Sequence, residues 1–308
     1  MPVYNAERTI RRAVDSLLAQ DIQDLELIIS DNASTDTTGD ICEAYAAIDR
    51  RVRYARRQRN HGQLPNYDYA LSLARGRYFM WASDDDRWDP RFASTLVGEL
   101  ERDSGAGAAM CTIERVSESG TGLDFVRFGG PDDPAWGSRL AMLMAMATGF
   151  SNKRRLHLML YGVYRTALLR SARPYASAQV PHPDRVFMCQ LALGLRFRFV
   201  DQPLYVRTVR EVPGHLRLPD EEFNKKLSGD RWGYARTVLA LGPTLLLSGA
   251  VPLHRKPLAP LAVAAMAWSY RGLLYRGRLP LPVRLFLAMG RRTAGLFRHA
   301  VRRVNAKP

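Results

Sequence analysis

Two apolar runs in this chain end directly in acidic clusters. Leu25 to Ser30 leads into Asp31-Asn32-Ala33-Ser34-Thr35-Asp36, and Arg77 to Ala82 leads through Ser83 into Asp84-Asp85-Asp86. Helical patterns separate them. Ile10, Val14, Leu17 and Leu18 fall on one side of residues 7–19, and residues 38–47 and 65–74 also read as helices around a strand at 51–55. Strand and helix alternate, which predicts an α/β fold with a mainly parallel sheet. Ligands of such sheets bind beyond the carboxyl ends of the strands. Both acidic clusters therefore face one crevice, suited to a cation or to a ligand rich in hydroxyl and amide donors.

Three adjacent carboxylates repel one another, and a hard divalent cation such as Mg²⁺ or Mn²⁺ relieves that repulsion. The alternative is a solvated loop with helix-capping aspartates. Asp31 lies too early to cap the next helix, so a ligand-facing role is expected for it, with capping left to Thr35 or Asp36. Further along, a strand is expected at 108–113, helices at 138–148 and from His182 onward, and a strand at 196–200. Asp184, at the helix start, reads either as a cap or as a general base. Arg207, Arg210 and His215 follow the last body strand and meet either a diphosphate or water. The six histidines are scattered without ligand spacing.

Charge divides the chain. Residues 231–308 hold 14 Lys and Arg and no acid, whereas residues 1–230 are nearly neutral, within a total of +15 over 308 residues. The 46% apolar content excludes a disordered or collagen-like chain. Cys42, Cys111 and Cys189 are too few and too far apart for a disulfide framework or a zinc cluster, which points to a reducing compartment. The opening residues do not read as a signal peptide. Thr237 to His254 is uncharged and Leu-rich, but Gly242-Pro243 and Ser248-Gly249 interrupt it, so a surface-lying or re-entrant hairpin is expected rather than a spanning helix. Phe286, Met289, Leu296, Phe297, Ala300 and Val304 recur at helical spacing, with Arg284, Arg291, Arg298 and Arg302 on another face. Such a helix suits an anionic membrane surface, the alternative being simple packing on the body. No nucleic-acid-binding motif is present.

In order and spacing, Pro2-Val3-Tyr4-Asn5, Ser30 to Asp36, Asn60-His61-Gly62 and Ser83 to Asp86 resemble family 2 glycosyltransferases of the GT-A fold. The resemblance covers residues 1–100 and extends to about residue 210 through Tyr161-Gly162-Val163-Tyr164-Arg165, Asp184-Arg185 and Pro203-Leu204-Tyr205. It implies a GT-A domain at 1–215, with a Rossmann-like sheet flanked by helices. The charge and apolar pattern predicts a basic, apolar helical region at 216–308, whose tail after Arg231 the resemblance does not cover. Relatives carry an apolar strand ahead of the first motif, whereas Met1 directly precedes Pro2 here, so a truncated first strand is expected.

The resemblance also implies a nucleotide-diphosphate sugar as donor. Pro2, Tyr4 and Asn5 would line the nucleotide pocket, Asp31 would hold the base, and Asn60 and Gly62 would lie against the nucleotide. Asp84 would contact the ribose. Asp85, with Asp86, would hold a divalent metal, Mn²⁺ or Mg²⁺, in the manner of a DXD motif. Ser83 stands where many relatives have Asp, and His182-Pro183-Asp184 occupies the place of the family's Glu-Asp motif, making Asp184 the implied base. The expected function is a metal-dependent, inverting transfer of sugar to a hydroxyl of a glycan or lipid-linked acceptor in cell-envelope polysaccharide synthesis. The expected location is the cytoplasm, peripheral at the inner face of the cell membrane and without nucleic acid. One alternative is an inactive nucleotide-sugar-binding or membrane-docking module. Another is a nucleotidyltransferase, which the lack of a Gly-rich, Lys/Arg-bearing phosphate loop near the N-terminus disfavours.

Overall fold

The structure, a computed structural model, describes residues 1–128, 139–148, 156–172, 183–209 and 233–269. The chain divides into two compact units. The first comprises Met1–Asp132, Leu158–Ser177 and Leu195–Pro213. The second comprises Asp133–His157, Ala178–Gly194 and Gly214–Pro308.

Two sheets organise the described part of the first unit. In one, β1 (Pro2–Val3), β2 (Leu27–Asp31) and β3 (Val52–Arg56) run parallel in the order β1-β2-β3. β2 is buried along its whole length, as expected of a parallel strand covered on both faces. Helix α1 (Ile10–Leu18) buries Ile10, Ala13, Val14 and Leu17, close to the stripe read from its spacing. Helix α2 (Thr38–Ile48) precedes β3, and α3 (Gln63–Leu73) follows it. Ahead of β1, the Met1 amine is buried and donates to the Ile28 carbonyl at 2.7 Å. Burial lowers its pKa to about 5.

The second sheet is mixed. It joins β4 (Tyr78–Phe79), β5 (Arg87–Trp88), β6 (Ala108–Ser117), β7 (Gly122–Val126), β8 (Val163–Arg165) and β9 (Phe197–Val209). The long β6–β9 pairing is parallel, and the other pairings are antiparallel. Register shifts between Cys111 and Ile113 mark a bulge that bends the strand. The apolar run at 77–82 thus becomes a two-residue strand followed by irregular chain and a turn at 84–85, and the run at 196–200 continues to residue 209. Helices α4 (Phe92–Arg102) and α6 (Thr166–Ser171) complete this unit's described helices. Gly162 abuts β6 so tightly that a Cβ there would lie 2.1 Å from Met110 Sδ and 2.6 Å from the Ala109 carbonyl oxygen.

The described part of the second unit is helical: α5 (Arg139–Thr148), α7 (Pro183–Gly194), α8 (Gly233–Leu247) and α9 (Ala259–Ser269), with a 3-10 turn at Leu253–Leu258. α8 and α9 pack together as a helical hairpin and also contact α7 and α5. Pro243 lies inside α8, where it removes one backbone donor. Among the described residues no helix is long and apolar enough to cross a membrane. The arginine-faced helix expected at 284–304 lies outside the described residues.

Candidate active site

The loops after β1 and β2 are joined by hydrogen bonds. Asn5, at φ 51°, accepts from Thr35 N at 2.9 Å through Oδ1, and its own N–H donates to Ser34 Oγ at 3.0 Å. Ala6 N donates to Thr38 Oγ1 at 2.7 Å. Asp36 Oδ1 accepts from Thr38 N at 3.0 Å, but the N-cap of α2 is Thr37, which makes no side-chain cap hydrogen bond, so the capping role expected of Thr35 or Asp36 falls to neither. Ala33, at φ 63°, turns the chain in the left-handed region.

Asp31 is fully buried at the end of β2. Its Oδ1 accepts from Ser34 N at 2.8 Å and Ser34 Oγ at 2.6 Å, and its Oδ2 accepts from Tyr54 OH at 2.7 Å. Arg56, largely exposed, pairs with the same oxygen at 3.4 Å and donates to the Ser34 carbonyl at 2.7 Å. Asp31 is therefore turned to these neighbours and not to solvent, unlike the ligand-facing placement expected of it, and the groups nearest to solvent around it are those of Tyr54 and Arg56. Neither was legible as a site residue, because each looks like an ordinary strand position.

Asn32 links β2 to the turn before α3. Its Nδ2 donates to Asn60 Oδ1 at 2.7 Å and to the Gly62 carbonyl at 3.0 Å, while its Oδ1 accepts from His61 N at 3.0 Å. Gly62, at φ 86°, donates to Asn60 Oδ1 at 2.8 Å. That left-handed backbone explains the glycine. Buried Asn66 ties α3 to the same strand ends, accepting from Ser30 Oγ at 2.6 Å and donating to the Ser30 carbonyl at 2.8 Å. Three of the four motifs, with Pro2, Tyr4, Asn5, Asp31, Asn60 and Gly62, thus converge where β1 and β2 end. Tyr4 is 46% exposed there.

The Asp84–Asp86 cluster divides. Asp86 is buried, and its carboxylate accepts from Tyr205 OH and from Thr208 N, the latter at 2.8 Å. Burial, with Asp85 alongside, pushes its pKa up to about 7. Asp85 Oδ1 accepts from Ser83 Oγ at 2.6 Å, and its carbonyl accepts from Arg12 at 3.0 Å. Arg12 also donates to Thr208 Oγ1 at 3.2 Å, joining α1, this loop and β9.

Beside these carboxylates lies an aromatic and arginine cluster. Tyr205 stacks on Trp88, with centroids 5.4 Å apart, and lies 5.8 Å from Tyr161. Tyr161 OH is 3.4 Å from Tyr67 OH on α3. The Arg207 guanidinium sits 5.6 Å from the Tyr161 ring centroid, within electrostatic reach of Asp85 and Asp86. Arg207 Nη1 is buried without a hydrogen-bond partner among the described residues. Arg210 and His215 lie outside them.

Among the described residues no group of three His, Cys, Asp or Glu side chains could enclose a metal. Asp86, expected to share a metal with Asp85, is instead buried, with both carboxylate oxygens accepting from Tyr205 and Thr208. That leaves Asp85 as the carboxylate that suits a cation of the Mg²⁺ or Mn²⁺ type, since such a cation takes one or two protein carboxylates and completes its shell with substrate phosphates and water. Asp184 belongs to the second unit, in the first turn of α7. Burial raises its pKa above the ordinary carboxylate range. Its neighbour Arg185 is buried and donates to the Met146 carbonyl at 3.1 Å.

The glycosyl transferase family 2 model matches residues 1–144, the stretch that supplies these motifs. Residues 1–144 are a family 2 glycosyltransferase domain. The family 2 domain is 39% identical over 124 residues to a Bacillus subtilis (strain 168) protein named "Putative teichuronic acid biosynthesis glycosyltransferase TuaG", covering 40% of this chain and 48% of TuaG. It is 30% identical over 101 residues to the glycosyltransferase GlyG of Streptococcus pneumoniae serotype 4, covering 33% of this chain and 34% of GlyG. The matched stretch thus spans between a third and a half of these relatives. The crystal structure of S. aureus TarS 1-349 in complex with UDP-GlcNAc superposes on 94% of this chain and 77% of that one, with a TM-score of 0.60 and 17% identity. The parallel sheet, the bent mixed sheet and the flanking helices have the α/β architecture of GT-A glycosyltransferases.

Proposed function

We propose that this chain transfers a sugar from a nucleoside-diphosphate donor to a hydroxyl of a glycan or lipid-linked acceptor, with inversion at the anomeric carbon. The observation that carries this reading is the hydrogen-bonded convergence of three motif loops at the ends of β1 and β2. That arrangement suits a ligand site beyond the carboxyl ends of the strands of a parallel sheet. The TarS complex with UDP-GlcNAc supports the donor class through a shared fold. The name of TuaG supports an acceptor in cell-envelope polysaccharide synthesis.

In this reading Pro2, Tyr4, Asn5, Asn60 and Gly62 form the walls of the nucleotide pocket, and Asp31 holds Tyr54 and Arg56 against the base. Asp84 meets the ribose. Asp85 would hold a divalent metal, without the help expected from the buried Asp86, and the metal would supply positive charge to offset that gained by the departing diphosphate. Arg207, held over Tyr161 near Asp85 and Asp86, supplies fixed positive charge toward the same diphosphate. Asp184 takes the acceptor hydroxyl's proton as that oxygen attacks, and its raised pKa makes it a stronger base than an exposed aspartate. Asp86 supports the loop from inside. One displacement inverts the anomeric centre, and no covalent intermediate is needed.

The test is calorimetric titration with UDP, GDP and dTDP, each with and without Mn²⁺, followed by incubation with the matching sugar nucleotides. Metal-dependent binding of one nucleotide, and release of a nucleoside diphosphate on turnover, is the expected result. Release of pyrophosphate would instead identify a nucleotidyltransferase, and binding without turnover a docking module.

A further inference from the structure

We infer that the outward face of α8 and the turn after it form a membrane-docking surface for anionic lipid. Among the described residues nine large apolar side chains are exposed, and four are leucines between 239 and 253: Leu239 at 57%, Leu246 at 48%, Leu247 at 62% and Leu253 at 80%. A surface helix normally turns polar residues outward, and a helix that is apolar all round is covered on every side. α8 buries Val238, Leu241 and Leu245 and yet carries Leu239, Pro243, Leu246 and Leu247 on its exposed face. This concentration of outward leucines is what needs a partner.

Charge selects the partner. Residues 233–269 contain no Asp or Glu, and Arg236, Arg255 and Lys256 flank the leucines. Arg255 is held by the carbonyls of Leu193 and Gly194 at 3.2 and 3.0 Å, which fixes the basic turn to α7. A symmetric second copy would set basic face against basic face, an unfavourable pairing. Protein interfaces also concentrate aromatic side chains, and this patch has none. Exposed leucines flanked in sequence by Arg236, Arg255 and Lys256, with no acid nearby in the chain, suit the boundary between acyl chains and anionic headgroups, where burial and Coulomb attraction act together. The surface is independent of the transfer reaction and stands or falls without it.

The experiment is co-sedimentation of the whole chain with phosphatidylcholine vesicles, with and without phosphatidylglycerol. Wild type and a Leu246→Ser/Leu247→Ser/Leu253→Ser variant are compared, with nucleotide titration and circular dichroism run on both. All three positions are exposed, so the fold tolerates serine there. The expected result is binding to the anionic vesicles that weakens in salt, and about tenfold or greater loss in the variant. Nucleotide binding stays the same. In addition, Leu253→Cys is labelled with a polarity-sensitive fluorophore, selectively because Cys42, Cys111 and Cys189 are buried. Its emission shifts to the blue on adding anionic vesicles. Equal partitioning of wild type and the serine variant, or no emission shift, overturns the proposal. A serine variant that changes only from dimer to monomer assigns the face to a second copy and overturns it as well.

Discussion

Asn32 Nδ2 lies 2.7 Å from Asn60 Oδ1, and Asn32 also grips His61 N and the Gly62 carbonyl, so one side chain holds the turn ahead of α3 in shape. Replacing it leaves the turn without three hydrogen bonds while the strand beneath stays intact. Asn32→Ala is expected to weaken nucleoside-diphosphate binding by about tenfold, corresponding to roughly 1.4 kcal/mol. Calorimetry measures this directly, and unchanged affinity would detach this turn from the pocket.

Adjacent aspartates should behave differently. Asp85→Ala is expected to abolish Mn²⁺-dependent nucleotide binding with a stability change within about 0.5 kcal/mol. Asp86→Ala leaves the buried Thr208 N–H and Tyr205 OH unsatisfied and is expected to lower stability by about 1–3 kcal/mol. Urea unfolding of the two variants, alongside titration with nucleotide and Mn²⁺, separates the roles. The reverse pattern would move the metal to Asp86.

For Asp184, the expectation is a loss of turnover without a loss of donor. Asp184→Asn keeps the shape and removes the base, so kcat falls by about 10²-fold or more while nucleotide affinity holds. In the wild type, kcat falls on the acid side as Asp184 is protonated. Because burial raises its pKa, that limb lies above the range of an exposed aspartate, about 3.9. A pH profile flat on the acid side would assign the proton to another group.

Glu26 offers a stability test away from the pocket. Its carboxylate accepts from the backbone N–H of Arg75 and Gly76 and pairs with Arg53 at 2.6 Å. Burial alone would raise its pKa, but these donors outweigh it, and the net direction is down. Its stabilisation is therefore complete above the unfolded value of about 4.3 and is lost as pH falls through the lower folded value. Glu26→Gln should destabilise the protein by about 1 kcal/mol at pH 7. The difference from wild type should close below pH ~4 in denaturant titrations. A difference constant over that range would show that the charge contributes nothing.

The helices and parallel strands of the first unit could be read with little error because periodicity reports burial. Ile10, Val14 and Leu17 face inward as their spacing requires, and Leu27 to Ile29 form a strand buried on both faces. The run at 77–82 was harder, since apolar content fixes burial but not pairing. Only Tyr78 and Phe79 find a partner strand. The motif positions were legible as a set, whereas the direction of each carboxylate was not. Three consecutive Asp codons look alike, and only the fold shows that Asp86 turns to Tyr205 while Asp85 is met by Ser83. Tyr54, Arg56 and Asn66 left no signature of a site, because strands and helices use such residues everywhere. Arg207 was visible as a charge and became informative through its unpaired Nη1.

The close approach at Gly162 has a genetic consequence. Any side chain there would collide with Met110 and the Ala109 carbonyl, so variation at this codon acts on how much folded protein accumulates. A screen that scores only lost activity would return Gly162 alleles together with Asp85 alleles. Immunoblots of the cell extract would sort them, with the first group depleted and the second present at full abundance.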